Sequence, residues 1–244
     1  MSVLLAVDTS GKNGGIALAR IPASTDASPK LEVVEVVALA GGTFSAQLVP
    51  QIADLLARHS FQTSDIEAFS VVSGPGSFTG LRVGLAAIKA LADVLEKKIA
   101  AVSLLEAIAL SSNTKGRVMA ALEAGRGDVY VGDCDVINEK ATQLEERLLG
   151  REEFVEAAKT TYIVTPDSTL FELARRSRSN VELDSHQNST QNPEQYSDLV
   201  QYPSAGLIAE IGWQKFQSHQ TVTALDLEAN YLRRTAAELF GKPK

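Results

Sequence analysis

The segment Ser73-Gly74-Pro75-Gly76-Ser77-Phe78-Thr79-Gly80-Leu81-Arg82-Val83-Gly84 constrains the fold more than any other, because it joins an apolar strand to a helix with almost no polar face. Residues 66–72 carry Phe69, Val71 and Val72 and read as a buried strand. Gly74, Pro75 and Gly76 then mark a turn, and Ser77 or Thr79 stands where a helix cap is needed. At roughly 100° per residue, the charged positions Arg82, Lys89, Asp93 and Glu96 fall in a stripe roughly 60° wide. The rest of the helix to Leu95 is apolar, Gly or Ala. A one-sided amphipathic helix needs an apolar stripe only somewhat wider than about 100°, so this one is expected to meet a second partner. Leu81, Leu85, Ile88, Ala92 and Leu95 form a bulky stripe, assigned to the domain's own sheet. Gly80, Gly84, Ala87 and Leu91 form a small-residue stripe, assigned to a closely packed helix of the partner.

A glycine-rich strand-to-helix loop is also where backbone N–H groups meet phosphates. Here the spacing is G-x-G-x-x-x-G rather than G-x-G-x-x-G, and no Lys-Ser or Lys-Thr follows. With 23 Lys+Arg against 30 Asp+Glu, a net charge of -7 is wrong for a chain that binds a polyphosphate backbone unaided. Any nucleic-acid role is therefore expected to run through a partner. One cysteine, Cys134, rules out an internal disulfide and fits a reducing compartment. The start Met1-Ser2-Val3-Leu4-Leu5-Ala6-Val7-Asp8 reaches an acidic residue too early for a signal peptide, and no apolar run is long enough for a membrane span, so a cytoplasmic protein is expected.

Along the chain, strands are expected at 3–7, 15–19 and 31–39, a helix at 44–58, then the strand, glycine turn and helix described above and a strand at 99–102. Pro50 kinks the first helix unless it lies in its first turn. The pattern restarts with a helix at 104–110, strands at 117–123 and 129–137 around Gly125-Arg126-Gly127-Asp128, a strand at 162–164, and helices at 151–158, 167–176 and 204–217. Residues 177–195, rich in Ser, Asn and Gln, read as a long flexible loop. Three strands in a meander followed by alternating helices and strands predict a mixed α/β sheet in each of two related halves, 1–103 and a shorter, degenerate 104–244.

Val7-Asp8-Thr9-Ser10, the 73–84 segment, Glu123-Ala124-Gly125-Arg126-Gly127-Asp128-Val129-Tyr130 and Asn230-Tyr231-Leu232-Arg233 together resemble the TsaB (YeaZ) family over the whole chain. The 73–84 segment is the specific one. The resemblance implies an actin/hexokinase/Hsp70-like (ASKHA) fold. It also implies a noncatalytic partner and activator of a homologous catalytic subunit, TsaD, in threonylcarbamoyladenosine modification of tRNA at the adenosine next to the anticodon. A TsaE ATPase acts with them, and tRNA is met only through the complex. The helices at 44–58 and 78–95 would form the partner face, with Phe44, Leu48, Ser77, Phe78, Gly80, Val83, Gly84, Ala87 and Leu91 in it; the width of the apolar face leaves a homodimer open to the chain when alone. The chain carries Phe44 where the family often has a His, Glu123 for the first Asp of the hairpin motif and Gly125 for its first Arg.

Other chemistries are weakly supported by the residues. His59, His186 and His219 are far apart and show no H-x-x-x-H spacing, so no metal or other cofactor is expected. No Ser sits in a G-x-S-x-G elbow. Asp8 ends the first strand, where actin-like ATPases hold the water shell of magnesium, but no Asp-x-Gly-Gly turn follows in the second half, so a structural Asp is favoured. The alternative function is a small-molecule kinase or ATPase of the same superfamily using Asp8 and the glycine loops.

Overall fold

A computed structural model describes residues 2–23, 30–184 and 196–233. The strands β1 (Val3–Asp8), β2 (Gly14–Arg20) and β3 (Glu32–Leu39) form the expected antiparallel meander. Helix α1 (Phe44–Arg58) leads to β4 (Ile66–Gly74), α2 (Phe78–Val94), β5 (Lys98–Ser103) and α3 (Leu104–Leu110). β4 joins β1 in parallel and β5 joins β4 in parallel, giving the order β3-β2-β1-β4-β5. All six residues of β1 are buried, as a central strand covered on both faces requires.

The second half repeats that design. It comprises β6 (Gly116–Gly125), β7 (Asp128–Ile137), β8 (Lys140–Gly150), α4 (Arg151–Ala158), β9 (Ile163–Thr165), α5 (Ser168–Asp184) and β10 (Ser197–Leu199). Its sheet runs β10-β9-β6-β7-β8, again a three-strand antiparallel meander with two parallel strands added at the side of its first strand. Two mixed five-stranded sheets of one topology define the actin/hexokinase/Hsp70-like fold expected from the sequence. The core of this half is built from Met119, Val131, Phe154, Ile163 and Leu170.

The residues group into two compact units, each with its own sheet: Met1–Ala107 with Pro203–Asn230, and Ile108–Tyr202 with the chain from Tyr231 on. The sequence-based division at 103/104 assigned the helix α6 (Ala205–Gln217) to the second half; it belongs to the first unit, packed on β1, β2, β4 and β5. The reason is its apolar face: Ile208 and Ile211 are buried, and Ser70 Oγ donates to the Ile208 carbonyl at 2.8 Å. At the other end of the helix, Lys215 lies 3.0 Å from the buried carboxylate of Glu106.

Two strands were not read from the sequence. In β8, Gln143, Glu145 and Glu146 interrupt the apolar pattern because this is an edge strand largely facing water. β10 is three residues long, too short for any periodicity. The loop expected at 177–195 begins later, since α5 continues to Asp184; Ser177 Oγ bonds back to the Ala174 carbonyl and Arg178 bonds the carbonyls of Ala158 and Thr161. Residues 185–195 lie outside the described residues. Among the described residues no helix is long and apolar enough to cross a membrane.

Gly212 is where α6 approaches β4 most closely, for a Cβ there would run into Ser70. Gly212→Leu should overpack this contact by roughly 1–3 kcal/mol, more than the gain of up to about 1 kcal/mol from replacing a mid-helix glycine. Urea denaturation is expected to show a lower midpoint; an unchanged or raised midpoint would contradict the packing of α6 on the first sheet.

Candidate functional site

Helix α2 begins at a junction with the end of β1. Ser77 caps it, its Oγ accepting from Gly80 N at 3.3 Å. Ser77 N donates to the Ser10 carbonyl at 2.7 Å, and Thr9 Oγ1 donates to the Gly80 carbonyl at 2.7 Å. A Cβ on Gly76 would stand 2.5 Å from the Ser10 carbonyl oxygen; one on Gly80 or Gly84 would collide with Thr9. Gly80 and Gly84 are therefore buried inside the first unit, and the expectation that they face a partner is corrected. Their missing side chains do serve a close approach, but the approaching element is the Thr9–Ser10 turn. Helical spacing reveals a narrow seam without naming what fills it.

Phe44 and Leu48 are likewise buried rather than on a partner face. The Phe44 ring lies over Gly14, where a Cβ would come within 2.8 Å of its edge. With Leu48, Ile52, Leu55 and Leu56 it forms the inner stripe of α1. On α2 the inner stripe is Leu81, Leu85, Ile88 and Ala92, as the sequence predicts.

The outward surface is what remains. Phe78 is 41% exposed, with the Arg82 guanidinium 3.7 Å above its ring, and Ser77 is exposed; Val83, Ala87 and Leu91 are half-buried. Sequence reasoning missed Ala86, Ala90 and Val94, all exposed, the last by 81%. At roughly 100° per residue, Ala86, Ala90, Val83, Val94 and Ala87 occupy one continuous flank between the charged stripe of Arg82, Lys89 and Asp93 and the buried seam. α1 packs beside α2 and exposes Ala46, Val49, Pro50, Ala53 and Ala57. The helix runs on through Pro50, which sits on this outer face where the Ala46 carbonyl it leaves without an intrahelical donor can meet water. The missed signal was in the sequence: a second apolar period on each helix, roughly opposite the bulky one.

Asp8 is buried at the mouth of the same junction, and its Oδ1 accepts from both Ser10 N at 2.8 Å and Ser10 Oγ at 2.6 Å. Burial pushes its carboxyl above the usual range, against the lowering effect of the two Ser10 hydrogen bonds. The glycine loop beside it has already spent donors within the protein: Ser77 N on the Ser10 carbonyl and Gly80 N on Ser77 Oγ. In the second unit, Arg233 holds the Gly125-Arg126-Gly127-Asp128 turn by bonds to the Ala124 and Gly125 carbonyls and an ion pair with Asp128 at 2.8 Å.

The duplicated sheet topology makes this an actin-like α/β protein, and the closed glycine loop with an adjoining two-helix apolar surface narrows the class. The family model described as TsaD, tRNA N6-adenosine threonylcarbamoyltransferase, matches residues 38–189, more than half of the chain. The tRNA threonylcarbamoyladenosine biosynthesis protein TsaB of Bacillus subtilis is 33% identical over 130 residues, 53% of either chain. That of Haemophilus influenzae is 26% identical over 236 residues, 94% of this chain and 93% of that one. The structure of YeaZ from Pseudomonas aeruginosa superposes with a TM-score of 0.68 at 21% identity, over 95% of this chain and 100% of that one. The chain belongs to the TsaB (YeaZ) family.

Two expectations follow from this geometry. Gly84→Leu should overpack Thr9 by roughly 1–3 kcal/mol, exceeding the gain of up to about 1 kcal/mol in helix propensity, so its melting temperature should fall; an unchanged value would put the seam back on the surface. For Asp8, burial raises the folded-state pKa above the unfolded value of 3.8, so the native state holds this proton more tightly and stability declines as pH rises from the unfolded through the folded pKa. Asparagine keeps both Ser10 bonds through its own Oδ1 and removes the charge. The melting temperature of Asp8→Asn relative to wild type should climb with pH through that window and then level off. A difference that shrinks with rising pH would mean that the carboxylate is held by a favourable partner.

Proposed function

We propose that this chain is a noncatalytic partner and activator of a homologous TsaD-type subunit in the threonylcarbamoyladenosine modification of tRNA at the adenosine beside the anticodon, acting with a TsaE-type ATPase. The observation that carries the reading is the set of exposed apolar residues on the neighbouring helices α1 and α2, the kind of surface that marks a protein-binding site. Small side chains there let another helix come close and bury area without large voids. Without that subunit the flank is free to cover itself with a second copy of the chain.

The noncatalytic part of the reading is supported by the chemistry of the Asp8 junction. A phosphate needs free backbone donors aimed at it, and Ser77 N and Gly80 N already have acceptors inside the protein. A buried carboxylate held above its usual range is also a poor anchor for a hydrated cation. The net charge of -7 fits a chain that meets tRNA through its complex. tRNA modification is a cytoplasmic task, and that location comes with the proposal.

Ala90→Glu tests it, because Ala90 is exposed and its replacement should leave stability within about 0.5 kcal/mol. A carboxylate in the middle of an apolar contact must be desolvated without a partner, so calorimetric titration against a TsaD-type subunit should show pairing weakened by roughly tenfold or more. Equal affinity of variant and wild type would sink the interface assignment. The purified chain alone should turn over ATP no faster than background; a rate abolished by Asp8→Ala would instead support the kinase alternative.

A further inference from the structure

The second unit contains a cavity of about 430 Å³ at the end of its helix-covered sheet face, beyond the last turn of α4, and the proposed partner function does not use it. Arg117 and Met119 of β6, Asp133 of β7 and Arg147 of β8 line its sheet side. Ala157, Thr160, Thr161 and Tyr162 line the other. The volume is in the range of small-molecule sites, and a lining more polar than apolar suits a polar ligand.

The walls are fixed from behind. Tyr162 OH donates to Asp198 Oδ1 at 2.9 Å, and Asp198 Oδ2 also accepts from Ser112 and Thr114. The Tyr162 ring is thereby held as a wall, and desolvation raises its hydroxyl above the usual phenol range. The turn at 158–161 is pinned by Arg178, whose guanidinium donates to the Ala158 and Thr161 carbonyls at 2.9 Å each.

The polar groups have complementary needs. Asp133 is buried, yet only its Oδ2 is engaged, accepting from Arg147 at 2.6 Å; its Oδ1 accepts no hydrogen bond among the described residues. Arg147 uses its Nη1 on both Asp133 and Glu145, the latter at 3.2 Å. Arg117 makes no ion pair or hydrogen bond among the described residues, although Asp135 lies opposite it in the ladder. Met119 is the cross-strand neighbour of Asp133, so Arg117 and Asp133 are diagonal neighbours on one face, about 7–8 Å apart. The cavity thus offers one unengaged guanidinium and one anchored, half-used carboxylate at the two ends of an apolar floor of Met119, Ala157 and the Tyr162 ring.

We propose that this cavity binds a small zwitterion of the α-amino acid class, its carboxylate on Arg117, its ammonium on Asp133 Oδ1 and its side chain on the floor. A guanidinium fork suits a carboxylate in two parallel hydrogen bonds. A simple anion would meet the Asp133 oxygen and a simple cation would meet Arg117, so the wall chemistry selects a ligand carrying both signs. The site is built from residues of the second unit alone, whereas α1 and α2 belong to the first.

The test is calorimetric titration of the full chain with each standard L-amino acid, with acetate and methylammonium as half-ligands. At least one amino acid should bind saturably with a Kd below about 5 mM, and each half-ligand should bind roughly tenfold more weakly or worse. Arg117→Ala removes an exposed side chain, so it should keep the wild-type melting temperature and lose at least about tenfold in affinity. Asp133→Asn should show the same loss where it folds; if it does not fold, Arg117→Ala decides alone. Absence of saturable binding by every amino acid, acetate binding as tightly as the best of them, or full affinity in Arg117→Ala would each overturn the proposal.

Discussion

The contact on which the first unit depends is the closure of α2 onto the end of β1. Thr9 Oγ1 reaches the Gly80 carbonyl, Ser77 N reaches the Ser10 carbonyl, and Gly76, Gly80 and Gly84 have no Cβ to hold the two segments apart. Because the helix is locked on this side, its orientation on β4 is set, and with it the side that stays in water. Leu81, Leu85, Ile88 and Ala92 go to the sheet, and the flank from Val83 to Val94 is turned outward beside the exposed face of α1. The glycine seam therefore fixes how α2 sits on its sheet and, with that, which of its faces stays in water.

The same closure bears on chemistry. The glycine loop spends backbone donors on the chain itself: Ser77 N on the Ser10 carbonyl and Gly80 N on Ser77 Oγ. Among the described residues Asp8 is bonded by Ser10 in its immediate turn, and burial raises its carboxyl above the usual range. That combination supports the noncatalytic part of the proposed role, while the exposed flank carries the partner part.

Much of the fold was legible because period and punctuation agree locally. The meander, α1, α2 and the Gly125–Asp128 hairpin all have clean apolar periods bounded by glycine or capping residues. The edge strand β8 was not legible, since its solvent face needs no apolar residues, and α6 was seen as a helix but could not be assigned to the first unit, which requires the long-range bond from Ser70 to Ile208. At the candidate site the sequence separated a bulky stripe from a small-residue one correctly. It could not distinguish a glycine that admits the chain's own Thr9 from one that admits another protein, since both demand the same missing side chain. Phe44 and Leu48 were misplaced for a related reason: an apolar residue at helical spacing does not reveal which of two sheltered sides it serves.

The central claim is that the outer flank of α2, and not its glycine seam, is the docking surface. Cys134 is the chain's one cysteine and is buried, so Ala90→Cys supplies a single reactive thiol in the middle of the flank. Its alkylation rate should be measured on the dilute chain, with and without a saturating TsaD-type subunit. The account predicts rapid labelling of the free chain and a rate at least about tenfold slower in the complex. Unchanged labelling of Cys at position 90 in a fully formed complex would contradict it and move the interface elsewhere.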